Sequence, residues 1–271
     1  MNAPHPLAVA GIQTDIHWED PAATLAHVAP AISRAAAAGA RLCVLPEMFA
    51  TGFSMRAGAL GVHHDAIAAA CAELARSHGV WLLAGLVEPV GADAPAGSRP
   101  RNAAVVWSPD GSEALRYHKI HPFTFGGEHE HYDGGTALPT LTIEGVRVTV
   151  LVCYDLRFVE LFRARADATD LFCVIANWPE ARWEHWATLL RARAIETQAY
   201  VLGVNRVGEG GGLRYRGDSA LYGPFGEPLA TASSGETLVL GAVDPQQVAL
   251  VREKTSFLRD RRPEVYAAWR R

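Results

Sequence analysis

Five short runs of this chain are apolar at most positions: "LAVAGIQ" (7–13), "RLCVLPE" (41–47), "VWLLAGLVE" (80–88), "DLFCVIAN" (170–177) and "YVLGVNRVG" (200–208). Each is too short for a typical helix and reads as a strand. A strand that is apolar on both faces needs cover on both faces. Between the runs lie segments of helical spacing. Asp20 and Pro21 read as an N-cap and first helical residue, and Gly39 as the stop, with Leu25, Val28, Ile32 and Ala36 on one face. Pro30 falls inside that segment and predicts a kink. Ile67, Cys71, Leu74 and His78 mark a second helix ending at Gly79. "RNAAVVWS", a "PDG" turn and "EALRYHK" form a hairpin pattern, and "TLTIEGVRVTVLVC" repeats it with Gly145 near its turn. A helix is expected from about Arg157, and another carries Trp186, Leu189, Leu190, Ala194 and Thr197 on its apolar face. Short strands with Gly and Pro turns fill 214–243.

Strand and helix interleaved, with hairpins inserted, predict one α/β domain over residues 1–271 with a mixed sheet, and the number of buried strands is compatible with two facing sheets flanked by helices. The length and the 49% apolar content suffice for one large core. A net charge of -4 without a basic stripe argues against nucleic acid as partner. No run of about 18 apolar residues is present, so no membrane span is expected. "MNAPHPLAVAG" lacks the features of a signal peptide. Cys43, Cys71, Cys153 and Cys173 form no CxxC pair, which fits reduced thiols in the cytoplasm.

Three chemistry-bearing residues stand at the ends of expected strands, where loops of α/β folds converge on one crevice. Cys153, in "VLVCYDLRF", sits at a strand-to-helix turn, where helix N–H groups favour a thiolate; a packed core cysteine is the alternative. Glu47 follows "LCVLP" in an apolar setting. It is either a strand-end carboxylate turned to solvent or a buried one with a raised pKa, suited to be a base. Lys119, in "YHKIH", is either an edge-strand lysine or a cation beside a developing oxyanion.

"LPEMF", "HKIHPF" and "VCYDLRF" resemble, in order, the three catalytic blocks of the nitrilase or carbon–nitrogen hydrolase superfamily. "ANWPEARWEHWATLLRARAIETQAYVLGVNRVG" (176–208) and "YRGDSALYGPFGE" (215–227) resemble its ω-amidase branch. The resemblance implies a four-layer α-β-β-α sandwich of two mixed sheets flanked by helices. It implies a Glu47–Lys119–Cys153 triad, a small-molecule amide substrate and no cofactor. It also implies a homodimer or higher oligomer, for which the 183–198 helix and the tail 244–271 are candidate contacts. A solvated basic face is the alternative for the tail.

The family pattern implies a second glutamate after the lysine, in a loop ending in an aromatic residue and glycines. In "FTFGGEHEHYDGG" (123–135), Glu128 stands four residues before Tyr132 and fits, whereas Glu130 is displaced by two and is expected to be exposed. His129 and His131, with His118 and His121, raise the possibility of a metal, but no HExxH or Cys–His framework supports one. No metal is therefore expected. Phe123, Tyr132, Tyr154, Trp178 and Arg157 are candidate substrate contacts, with Phe125 at the mouth. An α-keto acid substrate carries a carboxylate, for which Arg157, Arg206 and Arg214 are candidates. Arg157 pairing with Asp155 or Glu160, and Trp178 packing in the core, are the alternatives. Nitrile hydrolysis, N-carbamoyl cleavage, acyl transfer and general aliphatic amide hydrolysis use the same scaffold. A binding protein without turnover and a metal-binding protein are further alternatives.

Overall fold

The apolar runs form strands whose two faces enter different cores. The computed structural model describes residues 5–255 and 257–269. Its strands are β1 (Leu7–Gln13), β2 (Leu42–Val44), β3 (Trp81–Glu88), β4 (Arg101–Trp107), β5 (Glu113–His118), β6 (Thr140–Ile143), β7 (Val146–Val152), β8 (Leu171–Ala176), β9 (Tyr200–Asn205), β10 (Val207–Gly210), β11 (Leu213–Arg216), β12 (Ala220–Tyr222), β13 (Pro228–Thr231) and β14 (Thr237–Val243). Its α-helices are α1 (Pro21–Ala37), α2 (Ala57–Gly61), α3 (His64–His78), α4 (Glu128–His131), α5 (Val159–Arg165), α6 (Trp183–Thr197), α7 (Pro245–Lys254) and α8 (Pro263–Ala268).

Two six-stranded sheets result, ordered β14-β1-β2-β3-β4-β5 and β13-β12-β9-β8-β7-β6, while β10 and β11 pair separately. Read from β14, neighbours in the first sheet run antiparallel, parallel, parallel, antiparallel, antiparallel. Read from β6, the second sheet follows the same pattern. The two halves thus repeat one topology, although the sequence shows no repeat of fixed period.

Alternation along each strand builds the layers. Leu7, Val9, Leu42, Val44, Leu83, Ala104 and Val106 face the second sheet and share a core with Val148, Val150, Val152, Leu171 and Val204. Their neighbours Ala10, Ile12, Cys43, Leu82, Ala84 and Val105 face outward and pack with Val28 and Ile32 of α1 and Ile67 and Cys71 of α3. On the other side Phe162 of α5 and Trp186, Leu190 and Ala194 of α6 cover the second sheet. This is the expected four-layer α-β-β-α sandwich.

Local signals account for most boundaries. Asp20 Oδ1 accepts from the Ala23 N–H at 3.0 Å and caps α1, and Gly79 ends α3 in the left-handed region at φ 62°. The helix α1 runs through Pro30. Pro30 and Ala26 lie on the solvent face, so the carbonyl that loses its N–H partner is open to solvent. The helix expected from about Arg157 is α5, which starts at Val159 after a 3₁₀ turn from Cys153 to Arg157. One expectation is corrected. The expected strand 200–208 breaks between Asn205 and Val207, because Arg206 is drawn inward to Asp15 and to the carbonyls of Ile16 and Glu209. Among the described residues no helix is long and apolar enough to cross a membrane.

Candidate active site

Cys153 follows β7 with φ 47°, a left-handed conformation that a non-glycine residue adopts only when its surroundings impose it. Asp155 supplies the constraint. Its buried carboxylate accepts from the Val152 N–H (3.1 Å), the Tyr117 hydroxyl (2.7 Å), and the His121 N–H and Nδ1 (3.0 and 2.9 Å). His121 stacks on Phe158, so the turn is clamped from both sides. Cys153 is thereby held at the floor of a cavity.

Glu47 leaves β2 over Gly85 of β3. A Cβ at Gly85 would lie 2.6 Å from the Glu47 Cα and 2.5 Å from the Met48 nitrogen, so only glycine lets this loop pass. The Glu47 side chain is fully buried. Its Oε1 accepts from Lys119 Nζ (2.9 Å) and Asn102 Nδ2 (2.7 Å), and its Oε2 from the Asn177 N–H (2.8 Å). Glu128, also fully buried, accepts from Asn102 Nδ2 (2.8 Å) at Oε1 and from Lys119 Nζ (2.8 Å) and the Phe123 N–H (2.6 Å) at Oε2. Such donors are what buried carboxylates require to stay ionised.

The charges fix the resting state. Burial alone would push Lys119 down, but the Glu128 and Glu47 carboxylates outweigh it and hold the lysine above its ordinary value, as an ammonium. Burial pushes the Glu128 carboxyl up, against the pull of Lys119. Burial, followed by the negative charge of Glu47, pushes the Cys153 thiol well above its ordinary value, with only Lys119 opposing strongly. The nucleophile therefore rests as a protonated thiol beside a carboxylate.

The cavity above Cys153 measures about 270 Å³. Phe53, Phe123, Tyr154, Trp178 and Tyr215 give it aromatic walls, and Arg157 and Arg182 supply its charge. Arg157 lies 4.8 Å from the Trp178 ring centre, and Arg182 lies 5.5 Å from that of Phe123. Arg157 meets His185 Nδ1 at 3.2 Å, among the described residues neither arginine is paired with a carboxylate, and no Asp or Glu lines the cavity. Burial and the neighbouring Arg182 hold Arg157 below its ordinary value.

The structure therefore brings together Glu47, Lys119, Cys153 and Glu128, and places Phe123, Tyr154, Arg157 and Trp178 in the wall. Trp178 is also core: it is 3% exposed and packs against Trp186. Four expected contacts lie outside the cavity. Tyr132 lies behind the site, packed with Met48, Leu60 and Val87, its hydroxyl donating to the Ser54 carbonyl. Phe125 is 86% exposed and does not line the cavity. Arg206 is buried and paired with Asp15, and Arg214 is exposed near Glu180 and Glu209, so neither serves the cavity. Glu130 is exposed, as expected of the displaced glutamate. His118 meets Glu88 and Arg101, and His121 meets Asp155. Among the described residues no three His, Cys, Asp or Glu side chains are grouped to hold a metal ion.

Sequence reasoning missed Asn102, Asn177 and Arg182. The two asparagines did carry a signal. Each is a polar residue at the end of an otherwise apolar strand, in "RNAAVVW" and "LFCVIAN", and a buried amide there needs partners.

A strained thiol, an ammonium and two carboxylates at strand ends of a four-layer sandwich define a class of thiol-bearing hydrolase folds. The chain belongs to the carbon–nitrogen hydrolase family, whose model matches residues 7–253. It is a hydrolase acting on carbon–nitrogen bonds of amides other than peptide bonds. It is 39% identical to the omega-amidase YafV of Escherichia coli (strain K12) over 237 residues, 87% of this chain and 89% of that one. It is 30% identical to the 2-oxoglutaramate amidase of Bacillus subtilis (strain 168) over 230 residues, 84% of this chain and 87% of that one. Among solved structures, XC1258 from Xanthomonas campestris, a CN-hydrolase superfamily protein with an arsenic adduct in its active site, superposes with a TM-score of 0.85 at 31% identity, covering 95% of this chain and 98% of that one. A variant of the amidase from Nesterenkonia sp. AN1, with the acetamide moiety of fluoroacetamide added at its active-site cysteine, superposes with a TM-score of 0.86 at 26% identity, covering 99% and 98%.

Proposed function

We propose that this protein is an ω-amidase, hydrolysing the distal amide of α-keto acid amides such as α-ketoglutaramate and α-ketosuccinamate to the dicarboxylate and ammonia. The relatives named above point to this class. The observation that carries the substrate choice is the cavity wall: Arg157 and Arg182, without carboxylate partners, beside Cys153. A keto acid carboxylate entering there meets two guanidinium forks. The α-ammonium of glutamine would meet the same two cations and no acid, so the cavity selects the keto acid over the amino acid.

In the mechanism we propose, Glu47 takes the proton of the Cys153 thiol as sulfur attacks the amide carbon. Lys119 and the Tyr154 N–H receive the developing oxyanion. Glu47 passes its proton to the amide nitrogen, the carbon–nitrogen bond breaks, and ammonia leaves a thioester on Cys153. Glu47 then takes a proton from water, whose oxygen attacks the thioester, and returning that proton to sulfur releases the acid. Glu128, saturated with donors, positions Lys119 throughout.

Ammonia release from α-ketoglutaramate, with glutamine, a simple nitrile and propionamide as controls, tests the reading. Fast release from the keto amide, little from glutamine and none from the nitrile is expected. Arg157→Met and Arg182→Met should each raise KM for the keto amide by about 10- to 100-fold, the worth of a charged hydrogen bond, and leave propionamide turnover within a few-fold. Unchanged KM in both variants would place the carboxylate site elsewhere. Preferred turnover of the nitrile or of glutamine would move the substrate class.

Two wider elements belong to the same reading. The four free thiols accord with a cytoplasmic location. Ile195 on α6 and Phe257, Tyr266 and Trp269 in the tail expose large apolar side chains, which accords with a homodimer or higher oligomer through these elements. Sedimentation velocity is expected to show a species larger than a monomer, and a monomer at micromolar concentration would remove that element.

A further inference from the structure

One amide side chain touches both carboxylates of the site. Asn102, the second residue of β4, is 2% exposed. Its Nδ2 donates to Glu47 Oε1 at 2.7 Å and to Glu128 Oε1 at 2.8 Å, which uses both of its hydrogens. Its Oδ1 is buried and has no partner. Its carbonyl accepts from the Lys119 N–H at 2.9 Å, so the same residue also fixes the backbone of the lysine.

We propose that Asn102 is a positioning residue that holds the Glu47 and Glu128 carboxyl groups side by side without adding a second positive charge. This rests on the role of Glu47 as base given above. The site holds two carboxylates and one ammonium. Two like charges in a buried site share a proton unless other donors satisfy them. A second lysine or arginine in place of Asn102 would do so by charge, but would weaken the base that must take the thiol proton. A neutral amide with two hydrogens supplies the donors and leaves the net charge of the cluster negative. The uncompensated Oδ1 fits this reading: the amide faces the carboxylates at the expense of its own acceptor. The titratable groups around it are Glu47 after β2, Lys119 after β5, Glu128 on α4, Cys153 after β7 and Tyr132, whose hydroxyl is turned to Ser54.

The proposal predicts a displaced pH profile, which a packing role would not give. In Asn102→Ala the carboxylate pair loses one donor to each member, and a proton is retained to higher pH. The acid limb of kcat/KM should move up by about one pH unit or more, with activity at neutral pH reduced about 10- to 100-fold. Asn102→Asp keeps the shape of the side chain but adds a third carboxyl around one ammonium. Its activity at pH 8 should fall more than 100-fold below wild type, and recover in part toward acid pH, where the new carboxyl is protonated and donates. Thermal unfolding establishes which variants are folded. Asn102→Ser, smaller and still a donor, stands in for either that is not, and should show the same upward movement of the acid limb. A wild-type acid limb in every folded variant would overturn the proposal, as would Asn102→Asp matching wild type at pH 8. Glu47→Gln, assayed in parallel, separates the two readings. If it turns over normally, the base assignment fails; if it is inactive while the Asn102 variants keep the wild-type profile, only the role of Asn102 fails.

Discussion

Cys153→Ala is expected to abolish hydrolysis, with turnover reduced by about four orders of magnitude or more, while the protein remains folded. The thiol lines the cavity beside Glu47 and Lys119, where it is placed to form the acyl bond, and without it the covalent route is lost. The effect on stability should be small. The side chain is short, it borders the cavity, and the turn that carries it is held by Asp155 rather than by sulfur. Cys153→Ser sharpens the test. Burial and the Glu47 charge already push the thiol well above its ordinary value, and a hydroxyl in the same place is a far weaker acid. The serine variant should therefore be nearly as inactive as the alanine one. Ammonia release and mass spectrometry of quenched reactions read both, and retention of most wild-type turnover by Cys153→Ala would remove the nucleophile assignment.

Much of this architecture was legible, and the residues show why. Val9 and Ala10, or Val44 and Leu45, are adjacent and both apolar because they face different cores, so the runs betray two-sided burial directly. Gly79 and Asp20 mark helix ends through local chemistry alone. Glu47, Lys119 and Cys153 were legible because each stands at the end of such a strand within a resembling motif, and Glu128 because its offset from Tyr132 distinguished it from Glu130. What was hidden depends on where a side chain points after folding. Arg157, Arg182 and Arg206 are alike in sequence. Arg206 turns in to Asp15, while Arg157 and Arg182 flank the cavity, and no local pattern separates them. Tyr132 was placed in the cavity wall by its neighbours in the chain, but its ring packs behind the site against Met48 and Leu60. The bridging role of Asn102 needs three elements that meet only in the fold.

Glu47→Gln is expected to lower turnover about a thousandfold or more, because one group serves both half-reactions. The change also alters the hydrogen bonds. Lys119 and Asn102 both donate to one oxygen of Glu47, and the Asn177 N–H donates to the other. A glutamine can present its oxygen to only one of these sides, so its amide nitrogen meets a donor on the other. A stability loss of about 1–3 kcal/mol follows from the unpaired donor. The electrostatic consequence runs the opposite way and gives the base role its own signature. The negative charge of Glu47 is one of the causes that push the Cys153 thiol up, after burial. Removing it lowers the thiol pKa, so alkylation by iodoacetamide should begin at lower pH in the variant than in wild type. A thiol that becomes more acidic while hydrolysis is lost separates proton transfer from simple activation of sulfur, since a change that merely spoiled the thiolate would depress both. Quench-flow mass spectrometry completes the argument: acyl-enzyme should form slowly and, once formed, persist. A normal rate of acylation in Glu47→Gln would show that another group accepts the thiol proton, and the Glu128 carboxylate, already raised by burial, would be the next residue to test in that role.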